Sequence, residues 1–354
     1  MQFSLTDSQR LPERLFLIAP FFLWGTAMVA MKGVLAHTTP LFMGGLRIAP
    51  AGLLVIFAAA LLGKKQPQGW RAWLWIVLFS LIDVTCFQGF LALGLSHTSA
   101  GLGSVMIDSQ PLAVALLALF LYGERIGVWG WLGLGIGITG ISCIGLPDEW
   151  ILQLGTGEWL QQGHAILQWQ SWLQISHSGE FLMLLAALSM AVGTVMIRQV
   201  CRYADPISAT GWHMFLGGLP LFFGSGLWES EQWGHLTSSD WIAISYAAIF
   251  GSAIAYGLFF YFASKGNLTS LSSLTFLTPV FALVFGNLFL SEVLSPIQTF
   301  GVGLTLVSIY FVNQREQLPQ PGELLAWVDT RLVGTKKSKV AEIPIQVDAK
   351  GSRK

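Results

Sequence analysis

The chain has 354 residues, of which 53% are hydrophobic and only 11% charged, and its formal net charge is zero. A water-soluble domain carries about 25% charged residues, so this composition excludes an ordinary globular fold; no nucleic-acid partner is expected. Cys86, Cys143 and Cys201 show no CxxC spacing and read as small residues buried in helices.

In chain order, Arg10 and Arg14 precede an apolar run over 15–36. At about 22 residues it is too long for a signal-peptide core and long enough to span a bilayer. It is therefore read as an uncleaved first membrane helix behind a short N-terminal segment, 1–14. Further runs follow at 40–62, 73–94, 98–121 and 127–146. After the segment 147–179 come 180–200, 206–227, 241–263, 268–290 and 295–313. A helix of about 20 residues crosses a hydrocarbon core of about 30 Å. Barrel strands would be shorter and strictly alternating. The predicted class is an all-α polytopic membrane protein with ten transmembrane helices. Glycines throughout the runs suit close helix contact in lipid. The segment 147–179 is acidic and carries Trp150, Trp159, Trp169 and Trp172. It reads either as an aromatic anchor or as a stretch lying on the outer membrane surface. The residues 315–354 are polar and basic, and read as a cytoplasmic tail.

Alternating the ten runs across the bilayer tests the count. Of 19 Lys and Arg residues, only Lys32 and Arg47 lie well inside runs, and the others all fall on one face. The positive-inside rule makes that face cytoplasmic and places both termini there.

The chain repeats itself. Ser104, Pro111, Glu124, Gly133 and Gly135 recur 168 positions later as Ser272, Pro279, Glu292, Gly301 and Gly303. Lys32, Pro40 and Arg47 match Arg198, Pro206 and His213 with an offset of 166. The first repeat is 15–146 and the second 180–314, with five helices in each. An odd number inverts the second half in the membrane, the arrangement of many secondary transporters, whose substrate sites lie where the halves meet.

Several motifs carry a family resemblance. The first helix reads Leu23-Trp24-Gly25-Thr26-Ala27 and ends in Lys32, and the second carries Pro40 and Arg47. The fourth runs from Ser104 through Pro111 to Leu121-Tyr122-Gly123-Glu124-Arg125. The ninth runs from Leu277-Thr278-Pro279-Val280 to Leu290-Ser291-Glu292. In this order and twice over, they resemble the ten-helix EamA-type members of the drug/metabolite transporter superfamily. The resemblance covers residues 14 to 314. It implies a secondary transporter, an exporter of amino acids or other small metabolites, coupled to protons or working by exchange. The implied setting is a bacterial inner membrane, with a plastid membrane as the alternative. The second half departs from the pattern, with Met190-Ala191 where the first has Trp24-Gly25.

Ionisable groups inside a membrane are costly and default to functional hypotheses. Asp83 and Asp108 flank the turn near Ser96 almost symmetrically. If they face each other near the bilayer centre, both cannot stay ionised, and such a pair would carry a proton. The competing reading pairs them with neighbouring hydroxyls. Lys32 and Arg47 flank the first outer turn. They either snorkel outward or form a basic station for a substrate carboxylate or phosphate, with Arg198 and His213 as counterparts on the other side. Glu124 and Glu292 close helices four and nine, as caps or gates. Pro111 and Pro279 break those helices, either around a binding site or as packing kinks. Trp24, Gln88, Tyr256 and Asn287 are candidates to line a cavity.

No HExxH, GxSxG or phosphate-binding loop occurs, so neither an enzyme nor a directly ATP-driven pump is expected, and no cofactor or metal is implied. The expected partners are a small solute, the lipid bilayer and, for a coupled transporter, protons. A non-transporting receptor or scaffold is the main alternative, and a membrane-embedded enzyme the weaker one.

Overall fold

Lipid offers no hydrogen-bond partner to backbone amides, so a chain this apolar must satisfy them within itself. In a computed structural model the described residues are 7–122, 127–146, 148, 151–152, 178–259, 275, 277–314 and 318. Among them ten long helices do this: α1 (Asp7–Val34), α2 (Pro40–Leu61), α3 (Trp70–His97), α4 (Ala100–Leu121), α5 (Val128–Gly145), α6 (Gly179–Val200), α7 (Pro206–Trp228), α8 (Ser238–Phe259), α9 (Leu277–Leu290) and α10 (Pro296–Gln314). Seven are long and apolar enough to cross a membrane, α9 and α10 are shorter apolar helices, and α7 is more polar. The expected runs match these elements within a few residues at most ends. The start of the run expected from 268 and nearly all of 147–179 lie outside the described residues. The chain divides into two compact units, Met1–Arg315 and Glu316–Lys354; all ten helices belong to the first, and of the second only residue 318 is described.

Local chemistry sets the helix starts. Pro40 and Pro206 stand in the first turns of α2 and α7, where a missing N–H is harmless. Asp205 accepts from the Ile207 and Ser208 amides at 3.0 and 3.3 Å. Ser99 and Ser178 cap α4 and α6 in the same way, at 3.1 Å each, and Thr237 with Asp240 forms a capping box on α8. Large apolar side chains such as Phe57, Leu61, Phe120, Trp228, Ile242 and Phe289 stand exposed around the outside, as a lipid-facing surface requires.

The halves interdigitate. Helix α2 packs on α7, α5 on α10 and α4 on α9, while α1 lies against α8 and α9 and α6 against α3 and α4. Exchanging the halves maps this pattern onto itself. Helices α3 and α4, which carry Asp83 and Asp108, meet mainly near their connecting turn, and α6 contacts both.

Small residues allow these approaches. A Cβ on Gly211 would sit 2.7 Å from the Ile56 amide nitrogen, and one on Gly218 2.8 Å from Ala49 Cβ, where α2 and α7 cross. At the α5–α10 crossing, a Cβ on Gly140 would come within 2.8 Å of the Gly301 carbonyl. Gly135, one turn away on α5, faces open space.

The two halves also share an irregularity. Helix α3 is π-helical over Ser80–Cys86 and α8 over Ile249–Ile254, at equivalent places in the repeat. In each, a hydroxyl reaches the carbonyl five residues back: Thr85 Oγ1 to Ser80 at 3.4 Å and Ser252 Oγ to Ala247 at 2.9 Å. Such bulges widen a helix locally and mark functional positions. Helix α4 breaks at Ser109, just before Pro111, into Ala100–Asp108 and Gln110–Tyr122.

The α5–α10 crossing predicts that Gly140→Val destabilises the purified protein by about 1–3 kcal/mol through overpacking, seen as a melting temperature lowered by several degrees. Gly135→Val, pointing away from every neighbour, is expected to leave the melting curve unchanged.

Candidate functional site

The buried polar groups gather where α2, α3, α7 and α8 meet around the two π-helical segments. Arg47 on α2 is 5% exposed. Its Nη2 donates to Gln88 Oε1 on α3, and its Nη1 donates to Ser252 Oγ on α8 at 3.3 Å. Its Nε has no partner. Gln88 itself is 2% exposed. Tyr256, one turn beyond Ser252, lies within electrostatic range of both Arg47 and Asp83. The Trp24 ring of α1 meets Tyr256 edge-on at 5.4 Å, and its buried Nε1 also lacks a partner.

The second station is His213 on α7. It is buried, stacked on Phe79 at 4.3 Å, and its Nε2 lies 3.3 Å from Asp83 Oδ2 in the π segment of α3. Its Nδ1 lies 2.6 Å from the Thr210 carbonyl. A carbonyl only accepts, so Nδ1 carries a hydrogen. One further proton then lies between Nε2 and Asp83, either as an imidazolium–carboxylate pair or as a neutral pair with protonated Asp83. The arrangement can hold and pass on one proton.

The two stations are counterparts. Arg47 reaches from α2 to the π segment of α8, and His213 reaches from α7 to the π segment of α3. Arg47 lies about 10 Å from the start of α2, and His213 about 10 Å from the start of α7 at the opposite end of the bundle. They therefore flank the midplane of a core about 30 Å thick. What differs is the packing beside them. In one half, Ala27 of α1 abuts Gly251 of α8. In the other, Gly193 of α6 abuts Asp83, and a Cβ there would strike the Asp83 carboxylate. The glycine moves to the opposite helix to make room for the acid.

Several expected groupings come apart. Asp83 and Asp108 are not hydrogen-bonded to each other. Asp83 pairs with His213, whereas Asp108 ends the first segment of α4 and accepts from Ser104 Oγ at 3.4 Å. The reason is α6, which packs on both helices and presents Gly193 to Asp83 while Thr194 and Met190 receive the Gln110 amide at 2.5 and 3.4 Å. Lys32 and Arg47 separate as well. Lys32 Nζ donates to the Leu95 carbonyl at 2.8 Å, at the end of α3, where a cation complements the helix dipole.

Asn287 is exposed near the C-terminal end of α9. It donates to the Glu292 carbonyl at 2.9 Å and does not join the central group. Pro279 stands in the first turn of the described part of α9, beside Thr278, whose buried hydroxyl has no partner. Glu124 and the side chain of Arg198 lie outside the described residues.

Polar contacts between the halves converge at the face where α2, α4, α6 and α8 begin. Glu292 accepts from the Ala100 and Gly101 amides at 2.6 and 3.1 Å, and Glu229 from the Leu41 and Phe42 amides at 2.8 and 3.0 Å. Both place a carboxylate at a helix N-terminus. Ser291 makes the first contact possible. Its φ of 54° ends α9 in a left-handed turn, and Gly286 leaves space for the Glu292 carboxylate. Thr98 donates to Glu180 at 2.7 Å, Thr38 to the Gln232 carbonyl at 2.6 Å, and His37 lies 3.1 Å from Asp240. These contacts tie the two halves together at this end of the bundle.

The family model of EamA-like transporters matches residues 12–146 and again 177–314. The chain belongs to the EamA-like transporter family. Its relatives include an uncharacterized transporter of Synechocystis, 59% identical over 318 residues that make up 90% of this chain and 94% of the relative. A chloroplastic WAT1-related protein of Arabidopsis thaliana is 52% identical over 301 residues, 84% of this chain and 68% of that protein. A solved crystal structure 17% identical in sequence superposes with a TM-score of 0.59 over 86% of this chain and 98% of its own, and shares the fold. This EamA-like protein is thus an integral membrane protein of the transporter type, and a small solute and lipid are its surroundings.

Sequence reasoning missed Ser252, Thr278, Gly193 and Glu229. The hydroxyls and the glycine are common residues without charge, and Glu229 sits in a loop. Only the matching positions of the two repeats, Ala27 with Gly193 and Asp83 with Gly251, carried a readable signal. The steric fit at Gly193 predicts that Gly193→Ala lowers the melting temperature by several degrees, about 1–3 kcal/mol. Adding Asp83→Ala removes the clash and is expected to restore most of that loss, a coupling measurable in a double-mutant cycle.

Proposed function

We propose that this protein is a secondary transporter that exports a small polar metabolite of the amino-acid type by alternating access, with Asp83 and His213 as the proton-carrying pair. The observation that carries this reading is the pair of counterpart polar stations, Arg47 with Gln88 and Ser252, and His213 with Asp83, on either side of the midplane between interlocked halves. Two similar halves of opposite orientation can exchange conformations, so the site opens to one face and then to the other. The contacts between the halves at the end where α2, α4, α6 and α8 begin favour a state closed toward the outside. The repeats are assigned to 15–146 and 180–314, the segment 147–179 to the outer face, and 1–14 and 315–354 to the cytoplasm of a bacterial cell. The lopsided distribution of Lys and Arg supports this orientation.

Purified protein in liposomes should accelerate flux of at least one amino acid or related metabolite over empty liposomes, and a pH gradient should drive it. Asp83→Asn is expected to abolish acceleration by the gradient while leaving solute exchange within a few-fold of the parent. Absence of flux for every solute, from protein that melts cooperatively, refutes transport. Full gradient coupling in Asp83→Asn refutes only the proton assignment. On whole cells, a cysteine replacing Gly234 should react with an impermeant thiol reagent and one replacing Lys64 should not.

A further inference from the structure

A guanidinium inside a membrane needs an anion or a route to water. Arg47 is 5% exposed, and its two hydrogen-bond partners, Gln88 and Ser252, are both neutral. No carboxylate among the described residues pairs with it. Asp83 is engaged by His213, Glu229 and Glu292 cap α2 and α4, and Asp108 is bonded to Ser104. The Arg47 Nε hydrogen is buried without an acceptor among the described residues. Close by is a second orphaned donor, Trp24 Nε1.

Helix α8 joins the two. Ser252 holds Arg47 and Tyr256 holds the Trp24 ring, and residues four apart on a helix have Cβ atoms about 5–6 Å apart on one face. A third orphan, the Thr278 hydroxyl, belongs to the stretch of α9 packed on α1. A Cβ on Gly25, next to Trp24, would come 2.7 Å from the Thr278 carbonyl. An unpaired buried donor is costly, so the two orphaned groups of Trp24 and Thr278, beside a cation whose own Nε is also orphaned, are in want of an acceptor.

We propose that Arg47, Trp24 and Thr278 bind the carboxylate of the transported solute, a deepening that rests on the transport reading above. The Arg47 Nε–H and the Trp24 Nε1–H donate to the carboxylate oxygens, with the Thr278 hydroxyl at its edge. A single uncompensated cation neutralises a monoanion, so a carboxylate fits better than a phosphate dianion, which would bury a net negative charge. Arginine satisfies the geometric demand with directed N–H donors that lysine lacks.

The test uses the full-length protein in detergent and in liposomes, probed with the proteinogenic L-amino acids, their C-terminal amides, pyruvate and glycerol phosphate. At least one carboxylate should raise the melting temperature and be transported while its amide does neither. In Arg47→Gln the shift should vanish, and in Trp24→Phe, which keeps a ring but loses the N–H, the apparent affinity should fall about tenfold. Ligand-free Arg47→Met supplies a readout independent of solute choice. An uncompensated buried cation predicts a melting temperature equal to or above that of the parent, because an apolar replacement removes an unpaired charge.

Equal effects of acid and amide, a shift surviving in Arg47→Gln, stabilisation by glycerol phosphate alone, or a marked drop in melting temperature for ligand-free Arg47→Met would each overturn the carboxylate site. Flux of an amide with no preference for its acid leaves transport standing and removes only this inference. No flux of any probe removes the transport reading itself.

Discussion

Neither half of this protein has a core of its own. Each long helix finds its main packing partner in the other half, α2 on α7, α5 on α10, α1 on α9 and α6 on α3. Lipid tails are as apolar as leucine, so nothing drives these helices together except close van der Waals fit and shared polar contacts. The glycines at the crossings supply the fit. The interface between halves is therefore the interior of the molecule, and any group hidden from lipid lies on it. That is why Arg47, His213, Asp83, Gln88 and Ser252 converge there without forming a local sequence motif.

The same constraint accounts for the π-helical segments. A regular helix would present its Ser or Thr hydroxyl to the carbonyl three or four residues back. In Ser80–Cys86 and Ile249–Ile254 the hydroxyl bonds five residues back, and the widened turn places Asp83 or Ser252 against the basic residue of the opposite half. Near-symmetry of the backbone thus supports unlike chemistry. One station holds a guanidinium with neutral partners and two orphaned neighbours, and the other an acid–imidazole pair holding a proton.

The contacts at the end where α2, α4, α6 and α8 begin divide the labour differently. Glu229 and Glu292 complement helix N-termini of the opposite half, and Lys32 complements the C-terminus of α3. These charges lie near the membrane surface, where water lowers the penalty for separating them, so they suit contacts that form and break. Arg47 and Asp83, far from water, suit groups that stay partnered or are occupied by a ligand.

The sequence by itself determined the class, the approximate positions of the helices and the repeat pattern. Hydrophobic length, charge asymmetry and recurring Pro, Gly and Glu are one-dimensional signals, and hydrogen bonding in lipid leaves helices as their only reading. It also singled out Arg47, His213 and Asp83, because buried charge in an apolar run is conspicuous. The tertiary structure decided which of these meet. Two carboxylates symmetric about a turn looked like partners, but α6 lies against both helices and draws Asp83 to Gly193 and His213. Two basic residues flanking another turn looked like one station, but Lys32 turns to carbonyls at the surface and Arg47 turns inward. Depth along a helix follows from residue count at a fixed rise; direction around it depends on which neighbour packs where, and in an interlocked fold that neighbour comes from the other half of the chain.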